Sequence, residues 1–184
     1  MKFILQRKST KKCKCDKSTT KKLKQSLHFA LADLTDLKKI MALYQDVIKN
    51  VFVTWDKYYP SRNLIKEDIL NKTLYVLKNN NELLGVSFLG KTTTTEQWTI
   101  QLTSPLSIGR ICIRPSYQGL GLGSIFLNHL IEKAKSLGAD GMHFHVCTQN
   151  SSAMRMYEKC GFKNCGLGKS NYGFDYYKYE QKFE

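Results

Sequence analysis

Residues 111–123 constrain the fold of this chain more strongly than any other segment. They begin as a short apolar run of β type, pass a proline, and then place Gly119, Gly121 and Gly123 at alternate positions. An apolar pattern of helical spacing follows at once and continues to Leu137. A strand that passes through glycines into a helix N-terminus can bind an anion, because the first amides of a helix lack an intrahelical partner. The segment therefore predicts a phosphate-binding turn.

The spacing of this turn differs from that of two common phosphate-binding loops. The dinucleotide fingerprint G-x-G-x-x-G needs a third glycine where Ser124 stands. The P-loop pattern, which residues 168–170 could end, needs a glycine where Lys163 stands. What fits is Q-x-x-G-x-G over residues 118–123, and a second pattern, N-x-x-A-x-x-x-Y-E-K-x-G-F, follows over residues 150–162.

Together these two motifs resemble those of the GNAT superfamily of acyl-CoA-dependent N-acetyltransferases. The resemblance covers roughly residue 27 to the C-terminus and is densest over residues 108–162. It implies an α/β (α+β) fold, a mostly antiparallel, twisted mixed sheet flanked by helices on both faces. It also implies acetyl-CoA as co-substrate and direct transfer of the acetyl group to a primary amine of a small molecule, peptide or protein.

Hydrophobic periodicity predicts the element order β-α-α-β-β-β-α-β-α-β. Strands are expected at residues 27–32, 73–77, 83–89, 106–114, 142–146 and 176–183, and a further short strand at 98–102. Helices are expected near residues 37–51, 64–72, 122–137 and 153–160.

The net charge of +14 is concentrated at the N-terminus. Residues 1–25 carry ten Lys or Arg and one acid, so we expect a basic, flexible tail before a domain at residues 26–184. The tail could contact nucleic acid, ribosomes or an anionic surface, or be solvated without a function. Residues 10–25 contain no aromatic side chain, which argues against specific nucleic-acid binding.

The sequence favours a cytoplasmic protein. No apolar run approaches the about 20 residues that span a membrane, and the apolar start is too short for a secretory signal. The six cysteines are expected to be reduced thiols. Cys13 and Cys15 have no second pair at zinc-ligand spacing, so no metal is expected. The sequence leaves open whether the protein forms a homodimer.

The resemblance assigns cofactor binding mainly to backbone groups. The strand at Ile111 would pair with the pantetheine arm, the amide of Ile113 would polarise the thioester carbonyl, and the turn amides would bind the pyrophosphate. The expected cofactor-binding residues are Ile111, Cys112, Ile113, Gln118, Gly119, Leu120, Gly121, Leu122, Gly123, Ser124 and Asn150. For Asn150, a helix-capping role is an alternative that is compatible with cofactor binding.

Tyr157 is the expected catalytic residue, because the resemblance makes it the acid that protonates the departing thiolate. Core packing is its alternative role. The general base stays open: residues 106–117 contain no carboxylate, which leaves His143, His145, Glu96 or a water chain.

Aromatic side chains are expected to line the acceptor pocket, with helix-to-sheet packing as the alternative. The candidates are Trp55, Tyr58, Tyr59, Tyr172 and Tyr176, joined by His145. An acetyl-cysteine relay through Cys112 or Cys147 is a further alternative, without an evident activating base.

Two other function classes stay open. One is a sensor module that binds acyl-CoA without turnover, which would need the loop glycines but not Tyr157. The other is a nucleic-acid or ribosome-associated protein that acts through residues 1–25.

Overall fold

The structure is a computed structural model that describes residues 22–50, 54–91, 96–169 and 175–184. Within these residues, seven strands form one sheet in the order β1-β2-β3-β4-β5-β7-β6. The strands are β1 (Leu27–Leu31), β2 (Leu74–Asn79), β3 (Glu82–Gly90), β4 (Pro105–Ile113), β5 (Gly141–Cys147), β6 (Lys163–Lys169) and β7 (Asp175–Lys182). The helices are α1 (Leu37–Asn50), α2 (Arg62–Leu70), α3 (Leu122–Ser136) and α4 (Ser151–Lys159).

Five of the six neighbouring strand pairs are antiparallel, and only β4 and β5 run parallel. The predicted mostly antiparallel mixed sheet is therefore confirmed. The β4–β5 pairing consists of Pro105 with Gly141 and Leu106 with Met142. Beyond these pairs β4 continues to Ile113 and β5 to Cys147. The two strands diverge there, and their facing backbone edges are open.

Two apolar clusters hold helices to opposite faces of the sheet. On one face, α3 contributes Phe126 and Leu130 to a cluster that also contains Phe144 of β5 and Tyr157 of α4. On the other face, α1 and α2 pack against β2, β3 and β4 through a second cluster that includes Ile40. The apolar side chains of α3 recur at helical spacing, which is why this helix buries one side along the sheet.

The predicted strand at residues 98–102 is wrong, because this segment forms a loop. Its backbone amides bind side chains instead of a neighbouring strand. A carboxylate oxygen of Glu180 accepts hydrogen bonds from the amides of Thr99 and Ile100, at 3.0 Å and 3.1 Å. Just beyond this segment, Asp140 accepts a hydrogen bond from the amide of Ser104, at 3.0 Å. Carboxylates far along the chain thus accept the hydrogen bonds that backbone amides in a strand would donate to a neighbouring strand.

Strand β6 was not predicted from the sequence. Its residues, KNCGLGK, contain two glycines and little apolar alternation, so local pattern does not indicate a strand. It lies at the edge of the sheet and pairs with β7, with a register shift between Asn164 and Leu167. Pairing with β7, rather than local propensity, makes this segment a strand.

Residues 1–21 of the predicted tail lie outside the described part of the chain. Residues 22–25 form a helical turn, and Leu23 is buried in the same cluster as α3. The division at residue 25 stays a prediction. No helix among the described residues is long and apolar enough to cross a bilayer.

The α3 packing yields a matched pair of leucine variants. Leu130 is fully buried on α3, whereas Leu137 at the end of the helix is 54% exposed. We expect Leu130→Ala to lower the free energy of unfolding by about 2–5 kcal/mol, because it leaves a cavity. Leu137→Ala should stay within about 0.5 kcal/mol of the parent. Urea denaturation followed by circular dichroism measures both, and equal losses would contradict the described packing.

Candidate active site

The glycine turn leaves the first amides of α3 without a side-chain acceptor. Gln118 Nε2 donates a hydrogen bond to the carbonyl oxygen of Ile113 at 2.9 Å, which ties the turn back to β4. Gly121 then caps α3 in the left-handed conformation, with φ of 79°. No side chain of the described residues caps α3, and its first turn contains no acid. These amides and the positive end of the helix dipole therefore face an anion site.

Gly123 is needed for a different reason, which is the close approach of α4. A Cβ atom at this position would lie 2.7 Å from the sulfur of Met156 on α4. A side chain here would therefore push α4 away from the start of α3. Gly119 has a positive φ of 81° and open space around it, so only the backbone conformation favours glycine there.

One cavity of about 390 Å³ joins the turn, the open edge of β4 and the start of α4. It is lined by Val47, Ile111, Cys112, Ile113, Tyr117, Gln118, Gly119, Gly121, Leu122, Gly123, Ser124, Asn150, Ser152, Ala153, Arg155, Met156, Tyr157 and Lys159. Every expected cofactor-binding residue except Leu120 lies on this wall. Leu120 instead packs against the α3 cluster.

Three cations near the turn were not identified from the sequence. Arg155 and Lys159 line the cavity from α4, one helical turn apart. The Lys24 ammonium nitrogen lies 3.5 Å from the position that a Cβ atom of Gly121 would take. The spacing of the two α4 residues could have indicated a shared helix face, but no local signal connects Lys24 with the turn. These cations and the free α3 amides fit an extended ligand that carries phosphate groups.

Tyr157 is both a core residue and part of the cavity wall. Its side chain is 4% exposed, and its ring lies 4.6 Å from that of Phe144 and 5.7 Å from that of Tyr179. Burial raises the pKa of Tyr157 well above its ordinary value. The phenol therefore stays protonated near neutral pH and can donate a proton into the cavity.

Asn150 closes the same end of the cavity. Its side-chain oxygen accepts a hydrogen bond from the amide of Ala153 at 3.1 Å, which caps α4. Asn150 also lines the cavity. The capping role is thus observed, and it leaves the amide group of the side chain at the cavity wall.

The opposite face of β5 carries a polar and aromatic cluster. His145 Nε2 lies 3.3 Å from Glu96 Oε1, and the hydroxyl of Tyr176 donates a short hydrogen bond to the same oxygen. This hydrogen bond to Glu96 raises the pKa of Tyr176 to about 12. His143 is buried and stacks on Trp98 with ring centroids 4.1 Å apart. Burial lowers the pKa of His143, which favours a neutral imidazole.

The remaining acceptor candidates have different surroundings. The ring of Trp55 packs edge-on against that of Tyr44 at 5.4 Å, which is a packing role. Tyr58 is 72% exposed, and Tyr59, at 44%, accepts a hydrogen bond from the Arg110 guanidinium at 3.5 Å. Tyr172 lies outside the described residues.

Arg110 lies at a β-bulge in β4, beside the opening between β4 and β5. Its φ of 52° is in the left-handed region, and the β3–β4 register shifts at this point. The guanidinium pairs with Asp68 of α2, and the hydroxyl of Tyr44 donates to the Arg110 carbonyl oxygen at 3.3 Å. A bulge held from both sides in this way redirects the backbone of the following residues.

Cys112 gives no support to a relay. Cys112 is buried, and burial raises the pKa of its thiol far above the ordinary value. Its thiolate is therefore scarce at neutral pH. Among the described residues, no three His, Cys, Asp or Glu side chains are grouped as metal ligands.

The model of the Acetyltransferase (GNAT) family matches residues 40–162. The chain therefore belongs to the GNAT acetyltransferase family, and the resemblance seen in the two motifs is confirmed.

Two curated relatives match part of the chain. The uncharacterized N-acetyltransferase YvbK of Bacillus subtilis is 30% identical over 104 residues, which are 56% of this chain and 61% of that protein. The ribosomal protein bS18-alanine N-acetyltransferase of Escherichia coli is 32% identical over 62 residues, which are 34% of this chain and 42% of that protein. The chain thus spans less than two thirds of the length of either relative.

Solved structures of the family share the fold over most of the chain. A GNAT acetyltransferase from Streptococcus agalactiae superposes with a TM-score of 0.73 at 25% identity, over 87% of this chain and 97% of that one. YncA from Salmonella typhimurium, solved with its cofactor acetyl-CoA, has a TM-score of 0.69 at 17% identity, over 86% of this chain and 95% of that one.

Gly121 and Gly138 provide a matched test of the turn. Both have positive φ, at opposite ends of α3, so valine should impose a similar strain of about 1–3 kcal/mol at each. Only Gly121 lines the cavity. We expect Gly121→Val to weaken CoA binding by at least about tenfold, or about 1.4 kcal/mol. Calorimetry should show nearly unchanged CoA affinity for Gly138→Val, and equal affinities for the two variants would contradict the assignment of the turn.

Proposed function

We propose that this protein is an N-acetyltransferase that moves an acetyl group from acetyl-CoA directly to a primary amine. One observation carries the proposal: a single cavity joins the glycine turn, the open edge of β4 and the buried phenol of Tyr157. Phosphate binding, space for an extended arm and a proton donor therefore occur along one path. The amine belongs to a small molecule, a peptide or a protein.

The residues of the cavity fit acetyl-CoA. The free α3 amides with Lys24, Arg155 and Lys159 would hold its phosphate groups by hydrogen bonds and charge. The open backbone edge at Ile111–Ile113 would pair with the pantetheine arm as an added strand does. When bound, acetyl-CoA supplies an activated thioester.

Two groups of the chain would act on the reacting atoms. A backbone amide of β4, that of Ile113, would donate a hydrogen bond to the developing negative charge on the carbonyl oxygen. Tyr157 would donate its phenolic proton to the departing sulfur, because a tyrosine phenol is protonated at neutral pH and this one lines the cavity. The burial of Cys112 and the raised pKa of its thiol favour direct transfer over a cysteine relay.

The acceptor would enter from the face opposite α3, where Tyr59, Arg110, His145 and Tyr176 lie. The name of the Escherichia coli relative gives an alanine of ribosomal protein bS18 as that enzyme's acceptor. Its match covers 34% of this chain, so we propose the primary-amine class and no single acceptor. We also propose a cytoplasmic location, in line with the free thiols of the four described cysteines.

The proposal is tested by acetyl-CoA turnover, followed as thiol release against polyamines, amino acids, aminoglycosides and peptide N-termini. We expect release that depends on one acceptor class and that Gly121→Val abolishes. CoA binding without release on any member would favour the alternative of a non-catalytic sensor. Absence of CoA binding would contradict the proposal altogether.

Tyr157→Phe distinguishes a role of Tyr157 as proton donor from a role in core packing. We expect kcat to fall by about 10²–10⁴-fold, the range for loss of a general acid, with CoA affinity nearly unchanged. Tyr179→Phe is the matched control, because it removes a neighbouring phenol whose hydroxyl donates to Glu158 at 3.0 Å. Steady-state kinetics and calorimetry measure the two effects, and parallel losses in kcat and CoA affinity would mean that Tyr157 is structural.

A further inference from the structure

An acceptor can approach the opening between β4 and β5 on the face of β5 that points away from α3. Phe144 and Val146 point to the α3 side, so His143 and His145 point to the other. The loop at residues 96–104 covers this face near His143. The side chain of His145 is 39% exposed, so a ligand can reach it.

His145 is held in place by three neighbours. Its Nε2 lies 3.3 Å from Glu96 Oε1, and its ring lies 4.5 Å from that of Tyr176 and 5.4 Å from that of Trp98. With Nε2 beside the carboxylate, Nδ1 is the ring nitrogen left to accept a proton. A histidine is an effective proton acceptor when a carboxylate orients one ring nitrogen and the other ring nitrogen faces the proton donor.

The strand register places His145 in the part of β5 that has separated from β4. The last pair between the two strands is Leu106 with Met142, and His145 lies three residues beyond Met142. On β4, the cavity wall begins at Ile111, which also lies beyond the last pair. His145 therefore flanks the opening from the face that the cofactor cavity does not use.

We propose that His145, oriented by Glu96, is the general base that takes the proton of the attacking amine. This assignment rests on the proposed acetyltransferase function. The amine nitrogen forms the bond to the acyl carbon as the carbon–sulfur bond breaks. The nitrogen's proton passes to Nδ1 of His145, while Nε2–H is donated to Glu96. The departing sulfur receives its proton from Tyr157 on the opposite face.

The other ionisable groups of this face are less suited to the step. The other ionisable groups on this face of β5, β7 and the covering loop are Glu96, His143, Tyr176, Lys178 and Glu180. His143 is buried under Trp98, and Glu180 already accepts from two amides of the loop. Lys178, opposite His145 on β7, donates to the carbonyl of Gln97 at 2.9 Å.

The test compares His145→Gln with His28→Gln, a control at an exposed position of β1. At neutral pH we expect His145→Gln to lower kcat/KM by about 10²–10⁴-fold, with CoA affinity in calorimetry unchanged. Imidazole added to the buffer should restore part of the rate. Glu96→Gln should give a smaller loss.

Two results would overturn the assignment. Turnover by His145→Gln at the parent rate excludes this base while leaving the acetyltransferase function intact. A loss of rate that imidazole does not restore, accompanied by lost CoA binding, shows a structural role. A parent protein that binds CoA but releases no thiol with any amine would instead overturn the proposed function and the base together.

Discussion

The separation of β4 from β5 after two residue pairs is the constraint on which the rest of the structure depends. Neighbouring parallel strands normally exchange evenly spaced hydrogen bonds, and buried backbone groups without partners cost free energy. Here the strands open toward a cavity of about 390 Å³, so an extended ligand can satisfy the edge of β4. The bulge at Arg110, clamped by Asp68 and Tyr44, keeps β4 in a conformation that a regular ladder would not hold.

The opening divides the site into two chemically distinct sides. The α3 side has free helix amides, three cations and the protonated phenol of Tyr157, which suits phosphate groups and a departing sulfur. The other side has an imidazole, a carboxylate and aromatic rings, which suits an amine. In the proposed reaction, the amine would lose its proton on one face of the sheet and the departing sulfur would gain a proton on the other face.

The sequence predicted the parts of the fold that local pattern determines. The two motifs predicted the glycine turn, α3 and α4, because glycine spacing and helical periodicity are short-range signals. The prediction of a strand at residues 98–102 was wrong, because the amides of Thr99 and Ile100 bind Glu180, which lies far along the chain. Pairing with β7 creates β6 despite its two glycines. Long-range contacts of this kind leave no local trace in sequence.

The burial of Leu23 has a consequence for where the domain begins. This side chain lies in the α3 cluster, and Ser26 beside it donates a hydrogen bond to the side chain of Asn79 on β2 at 2.8 Å. The following residue, Lys24, is thereby positioned beside Gly121. Removing residues 1–25 would remove a core side chain and a charge beside the glycine turn together. Two neighbouring residues of the basic segment thus contribute a buried side chain and a positive charge on the α3 side of the sheet.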